Sequence, residues 1–528
     1  MTIRTTSLYQ NDPACPKPDD FDYNVIIVGS GITGLSAAHK IAEKNCGISV
    51  LVLEGSDKIG GRLAVSGVTK GFFIDNRQRH INRLIRELGL TSEYRKPSGN
   101  EDRIYYSRSG PIVVRREKIT DEIDDFVNRL DQTFQSSDLK ICADYPEAKK
   151  LARMSFDAFI DDCITGSEAR ELMKAIVFSI CGLEAASVST LWFIAMAIGA
   201  GGLKRRIKFA LGSDWRKFIP GGAEEILKGL WRMAVHDEGT KIQTNSLVKL
   251  IEFNDVSAYV SILNGEQYKC EYVIVAVPPP ESSKIRILPA NEEVLKNQIS
   301  HEPGRATFFV AKYDEAWWQR SNYSGDILGS IENPSELRIV YEATCPPDLS
   351  PAFLAGFLKR SADEKTTHPL EALRNCWTRT VWGADGSALS YSTMLKHYAE
   401  SKWSEEEEDS GMHRGGQPMS AMKPCHVKYH LNPMLTPHKR VYWACSEYAR
   451  FWPGTMDGGV ESGEYSACSI LYQVRPQSLN SEELRFVTPK TAPVAARKTD
   501  LPLDLVALHF VTTGIVTAIL IIYCKPVK

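Results

Sequence analysis

Gly29, Gly31 and Gly34, with Glu54 twenty residues beyond the last of them, are the residues in this chain whose types and spacing most plainly suit a charged ligand. Asn24-Val-Ile-Ile-Val28 precedes them as an unbroken apolar, β-branched run, the pattern of a parallel strand buried on both faces. Leu35 to Lys44 follows with helical spacing, and Ser49 to Leu53 is a second apolar run that Glu54 closes. In such a strand–turn–helix–strand unit the first glycine makes the tight turn. The second lets backbone approach a pyrophosphate, and the third brings helix against strand. The start of the helix, around Thr33, offers free N–H groups and the positive end of a dipole to phosphate, and Glu54 offers an acceptor to a ribose hydroxyl. The unit predicts a dinucleotide site. Gly60-Gly61-Arg62 then adds a second glycine pair and a fixed cation, whose planar fork suits bidentate contact with phosphate.

An acid followed by a Gly-Gly-Arg turn resembles the FAD-binding flavin amine oxidases, and the resemblance implies that Arg62 lies against the cofactor phosphates. A second motif stands near the other end. Arg440 to Glu464 reads as a strand, an acid, a glycine turn and a helix opening near Met456, and a helix start beneath a flavin favours the negative charge of its reduced form. This segment is similar, residue by residue, to the closing motif of monoamine oxidases. The resemblance implies that Glu447 contacts the ribityl–phosphate part, that Met456 presents its backbone to the ring, and that Val248 holds the adenine side. It implies an α/β, two-domain FAD-binding (Rossmann-like) flavin amine oxidase fold with a mixed-sheet substrate domain. It also implies FAD-dependent oxidative deamination of a primary or secondary amine by dioxygen, releasing aldehyde and hydrogen peroxide.

The chain departs from that family at four places around the substrate. Trp403 matches the family's tryptophan, but aligning Gly415-Gly416 puts Gln417 where the flavin-linking cysteine should be. Glutamine cannot form a thioether, so FAD is expected to be non-covalent, with Cys425 the other candidate tether. The two cage tyrosines are replaced by Pro418 and Thr455. Counting back from Glu315-Ala-Trp-Trp318 places Phe308 at the active-site lysine; Lys312 is the nearest lysine and is expected to point elsewhere. The segment Phe72 to His80 lacks the family's glycine-rich loop and is several residues short, which bears on whether flavin can seat. Asp214 falls near a cavity glutamine of the family, and Arg305 is a candidate for a substrate carboxylate. Two other readings follow: a catalytically inactive, membrane-anchored relative, and an amino-acid or polyamine oxidase.

These residues need a large frame, and 528 residues with 43% hydrophobic content supply more than one domain. The resemblance implies an FAD-binding domain in residues 23–90, 213–299 and 437–475, and a substrate domain in 91–212 and 300–436. Residues 1–22 form a polar arm without a secretory signal. Lys241 to Glu252 and Tyr259 to Leu263 are expected to pair as strands, Cys270 to Val277 to be a buried strand stopped by prolines, and Leu191 to Ile198 to be core. A net charge of −2 gives no nucleic-acid footprint, and twelve scattered cysteines without zinc-like spacing suit reduced thiols facing the cytosol. Residues 476–502 read as a flexible linker. Residues 503–524 contain Leu505 to Cys524, twenty residues without Asp, Glu, Lys or Arg; as a helix these span about 30 Å, the thickness of a bilayer core. The expected partner there is the lipid bilayer, through a single C-terminal anchor. Resemblance to monoamine oxidases implies the mitochondrial outer membrane, with endoplasmic reticulum the alternative, and a homodimer.

Overall fold

The structure, a computed structural model, describes residues 20–64, 72–95, 101–107, 110–115, 121–134, 146–211, 216–236, 239–320, 322–330, 336–344, 350–359, 369–381, 395–400, 419–430 and 437–488. Strand β1 (Tyr23–Val28), helix α1 (Ile32–Ala42) and strand β2 (Val50–Leu53) are the predicted opening unit, with Val25 opposite Val50 and Val28 opposite Leu53 in parallel register. The apolar run of β1 is continuous because both faces of the sheet are covered. Val25 and Ile27 pack with Ala37, Ala38 and Ile41 of α1 and with Leu471, whereas Ile26 and Val28 pack with Val248, Ile251 and Val260. On its other edge β1 pairs with Gln267–Val275, which also carries Val441–Trp443 in parallel.

One expected strand is two. Thr240–Gln243 joins β2 in parallel, while Val248–Phe253 lies at the far side of the sheet and pairs antiparallel with Ala258–Ile262. The break falls at Asn245, whose φ of 54° is left-handed; its N–H reaches the Ser56 carbonyl, and the Ser246 N–H reaches that of Glu54. Asparagine tolerates that conformation, so the chain turns a corner within the polar stretch Gln243 to Ser246.

A second, seven-stranded sheet is ordered Leu395–Glu400, Ala306–Tyr313, Ala352–Lys359, Leu337–Glu342, Tyr323–Gly329, Asp102–Ser107, Gly110–Arg115. It is mixed: Tyr323–Gly329 and Asp102–Ser107 run parallel, and the other pairings are antiparallel. Helices Ser167–Cys181, Thr190–Gly199 and Leu203–Ala210 share one core with Phe308, Val310 and Tyr341 of this sheet. The apolar run Leu191 to Ile198 is thus the interior of a buried helix, as its length implied.

The stretch read as a linker from residue 476 begins as ordered structure, which corrects that expectation. Helix Ser481–Val487 opens with a capping box between Asn480 and Glu483, and Glu483 also accepts from Lys40 on α1 at 3.3 Å and from Lys44 just past its end at 2.6 Å. Phe486 lies over the Arg450 guanidinium, 4.4 Å from ring centre to carbon. Among the described residues no helix is long and apolar enough to cross a membrane; the expected anchor, 503–524, lies outside the described residues.

Candidate flavin and substrate site

A cavity of about 380 Å³ is lined by the first sheet, the start of α1, the Gly60–Leu63 turn, helix Leu203–Ala210 and the Gly454–Met456 turn. Its glycine end follows from backbone constraints. Gly29 has φ of 100°, and a Cβ there would fall 2.7 Å from Val277 Cγ1; a Cβ on Gly34 would fall 2.0 Å from the Gly29 carbonyl oxygen. A Cβ on Gly31 would meet nothing within 4 Å: it would stand in the cavity, where bare backbone now faces the opening. No side chain caps this helix end, so its N–H groups are left to a ligand. Gly29, Gly31 and Thr33 line the cavity, and Gly34 sits behind them as the packing glycine.

Glu54 closes β2 in the cavity wall. Oε2 accepts from Ser30 N at 2.9 Å and Ser30 Oγ at 2.6 Å, and Oε1 accepts from Ser56 N at 2.9 Å. Ser56 Oγ has one proton and two acceptors in reach, Glu54 Oε1 at 2.9 Å and the Lys58 carbonyl at 2.6 Å. When that proton goes to Lys58, Glu54 keeps a lone pair for an incoming hydroxyl. Val248 lines the same end.

Arg62 and Glu447, two separately singled-out residues, are bound to each other. Nη1 donates to Oε1 at 2.7 Å and Nη2 to Oε2 at 3.0 Å, and Nη2 also reaches Ser446 Oγ at 2.9 Å. Glu447 further accepts from Ser420 N at 3.0 Å and from Ser446 Oγ at 2.7 Å. Burial alone would push its carboxyl up, but Arg62 and these donors outweigh it and hold the group at about 2. Both residues line the cavity; Glu447 takes both terminal nitrogens of Arg62, so a contact of Arg62 with phosphate would use its remaining N–H groups.

The other end is aromatic. Phe72, Phe73, Phe209, Tyr341 and Phe357 line it, with Phe73 edge-on to Tyr341 at 5.2 Å and 5.1 Å from Phe209. Phe308 is on the expected strand but one layer back: it is fully buried, stacked behind Phe72 at 5.1 Å and against Phe357 at 5.3 Å. Lys312 shares the face of Phe308 two pleats along and does not line the cavity, so distance rather than orientation removes it. Thr455 lines the cavity and caps helix Met456–Val474, accepting from Gly458 N at 3.4 Å. Met456 opens that helix on the cavity. Trp403, Gln417, Pro418 and Asp214 lie outside the described residues. Arg305 is 78% exposed and paired with Glu302 at 3.1 Å, away from the cavity wall. Cys425 stands beside His430 Nε2 at 3.4 Å, also away from the wall.

The model of the flavin containing amine oxidoreductase family matches residues 32–471. The chain belongs to that family. Flavin-containing amine oxidase A of Canis lupus familiaris is 29% identical over 468 residues, 85% of each chain, and flavin-containing amine oxidase B of Sus scrofa is 28% identical over 498 residues, 90% of each. Among solved structures, cyclohexylamine oxidase from Brevibacterium oxydans IH-35A superposes with a TM-score of 0.72 at 23% identity, covering 86% of this chain and 99% of the other. Putrescine oxidase bound to putrescine gives 0.68 at 22%, covering 85% and 99%. At such identities the structural likeness establishes the fold. The family is FAD-dependent, and FAD is the cofactor of this flavin amine oxidoreductase. The bare Gly31 backbone, the uncapped helix end and the free lone pair on Glu54 fit a dinucleotide.

Sequence reasoning missed the aromatic wall, Met419 and above all Arg206. The last had a legible signal. Leu203, Arg206 and Ile207 fall at i, i+3 and i+4, which puts one arginine of a basic helix on its buried face.

Proposed function

We propose that this protein is an active oxidase that deaminates an amine on non-covalent FAD, with dioxygen as acceptor and aldehyde and hydrogen peroxide as products. The observation that carries the reading is the continuity of the cavity: the glycine turn, the Arg62–Glu447 pair and an apolar aromatic chamber open into one another. FAD, when bound, accepts the two electrons that leave the amine. Gly29, Gly31 and Thr33 would take its pyrophosphate at the start of α1, Glu54 a ribose hydroxyl, and Val248 the adenine side. The Arg62–Glu447 pair would offer its remaining N–H groups to the ribityl–phosphate segment. The start of helix Met456–Val474 would place a positive dipole end at the ring. Phe72, Phe73, Phe209, Tyr341 and Phe357 exclude water and hold the neutral amine by its apolar body, while Thr455 adds little bulk where the family has a ring.

Non-covalent attachment is supported by the thiols. A tether requires a thiolate. Cys445 is the cysteine that borders the cavity among the described residues, and burial, with Glu447 adding to it, pushes its thiol well above the ordinary value. Burial raises the Cys425 thiol as well. The proposal includes anchorage of residues 503–524 in a bilayer, with the mitochondrial outer membrane first and endoplasmic reticulum second, and a homodimer on it.

The purified full chain should show flavin absorption bands that pass into the supernatant after acid precipitation. Bands retained in the pellet would contradict the non-covalent assignment. Bands absent altogether would overturn the oxidase reading in favour of an inactive relative.

A further inference from the structure

Arg206 lines the aromatic end of the cavity and is 4% exposed. Two other arginines, the buried Arg216 and the half-buried Arg62, show what such a residue ordinarily has. Arg216 donates to Asp326 Oδ1 at 2.7 Å and to the Glu342 carbonyl at 2.7 Å, and Arg62 grips Glu447. Arg206 has no carboxylate within ion-pair distance among the described residues. Its Nη2 reaches the Met419 sulfur, a weak acceptor, at 3.8 Å, and its Nε is buried with no partner. The Phe209 ring lies 5.6 Å from the guanidinium carbon. Burial lowers its pKa to about 10, so it still carries its charge near neutral pH.

A buried cation without a counter-charge is destabilising, and a fold retains it most readily where a ligand supplies the anion. The guanidinium is placed for such a ligand. Met419 packs onto the Gly454 turn so closely that a Cβ on Gly454 would fall 2.2 Å from the Met419 sulfur. Arg206 is therefore next to the turn that carries Thr455 and Met456, at the chamber end and away from the glycine turn where phosphates are expected. The flavin's own phosphates do not account for it.

We infer that Arg206 receives the carboxylate of the substrate, so that the amine this site takes carries an acid at its other end: an ω-amino acid, whose terminal CH2–NH2 still yields an aldehyde, held by a bidentate guanidinium contact while the aromatic wall packs its apolar part. This rests on the proposal that the chamber binds the amine to be oxidised.

The test is isothermal titration of the full-length purified protein with benzoate, with benzyl alcohol as the uncharged control, for the wild type, Arg206→Met and Arg206→Lys. Calorimetry reads binding whether or not flavin is present, so a chain without flavin defeats the oxidase reading and leaves this test standing. Benzoate should bind the wild type more tightly than benzyl alcohol. Its Kd should rise about tenfold or more in Arg206→Met, with part of the loss restored in Arg206→Lys, as for a charge-assisted contact. Benzyl alcohol should bind all three alike. The Tm of Arg206→Met should hold or rise, because an apolar side chain of similar length replaces an unpaired charge. Equal benzoate affinity in wild type and Arg206→Met would overturn the inference, as would a Tm drop in Arg206→Met with weakening of both ligands, which marks a structural role. Loss of FAD with benzoate affinity unchanged would overturn it in favour of a flavin contact.

Discussion

Glu447 and Arg62 are 385 residues apart in sequence and form the tightest charged contact in the cavity wall. Glu447 is buried and Arg62 is about a quarter exposed, so replacing Glu447 leaves a partly solvated charge uncompensated, at the lower end of the range of about 3–5 kcal/mol that breaking a buried pair costs. Glu447→Gln should therefore lower the Tm markedly. The pair also fixes the acid limit. The Glu447 carboxyl is held at about 2 in the fold against an ordinary 4.5, so its contribution is fully present above pH 4.5 and is lost as pH falls toward 2. Asp457 acts in the opposite sense: burial raises it to about 6 from 3.8, so it favours the fold at low pH and loses that contribution as pH rises to 6. Tm measured between pH 2 and 5 should fall steeply toward acid in the wild type and less steeply in Glu447→Gln. Identical slopes would exclude the pair as the source. Each residue was legible from its own local motif, but their union was not, because no short-range pattern relates an arginine after a glycine pair to an acid in a distant turn. Phe308 shows the complementary limit. Counting from Glu315 found the right strand, but which of three packed rings meets the cavity is decided by neighbours from other segments.

At the scale of elements, the start of α1 is held by its packing against helix Met456–Val474. Gly459 and Gly463 are one turn apart on the facing surface, and a Cβ at Gly463 would fall 2.2 Å from the Thr33 carbonyl oxygen and 3.2 Å from Ala37 N. Alanine in place of a helical glycine gains about 1 kcal/mol of propensity, and overpacking against fixed atoms costs about 1–3 kcal/mol. Backbone cannot move aside as a flexible side chain would, so the clash should win. Gly463→Ala is expected to lower the Tm by several degrees, and by displacing the Gly31–Thr33 turn it should also speed loss of FAD on dialysis. A variant with wild-type Tm and flavin content would show that the two helices can separate freely. The opening strand–turn–helix unit and the helix at Met456 were readable because their signals are local: an apolar run, glycines at fixed spacing, a cap. The Lys241–Glu252 run was misread as one strand because its corner is set by Asn245 donating to a carbonyl on a different segment, and that partner is invisible in the run itself.

At the scale of the whole molecule, the chain passes repeatedly between two sheets, and the cavity lies where both contribute walls. The described body ends in helix Ser481–Val487, tied by Glu483 to Lys40 on α1 and to Lys44 just past its end. That docking makes residue 488 a natural place to divide the protein, because every described residue of the cavity wall precedes it. Residues 505–524 carry no charge, and an uncharged segment of this length is expected to partition into a bilayer. The two parts can be tested against each other. A chain ending at residue 488 should be recovered in the soluble fraction with the FAD content of the full chain, whereas the full chain should resist high-salt and carbonate extraction from membranes. Extraction of the full chain by carbonate would refute the anchor. A truncated chain that stays with membranes would move the attachment into the body, where Phe451 and Trp231, both substantially exposed, would be the first residues to replace. Loss of FAD on truncation would mean instead that residues 489–528 help to hold the Ser481–Val487 helix in place, with α1 the route by which the flavin site senses it.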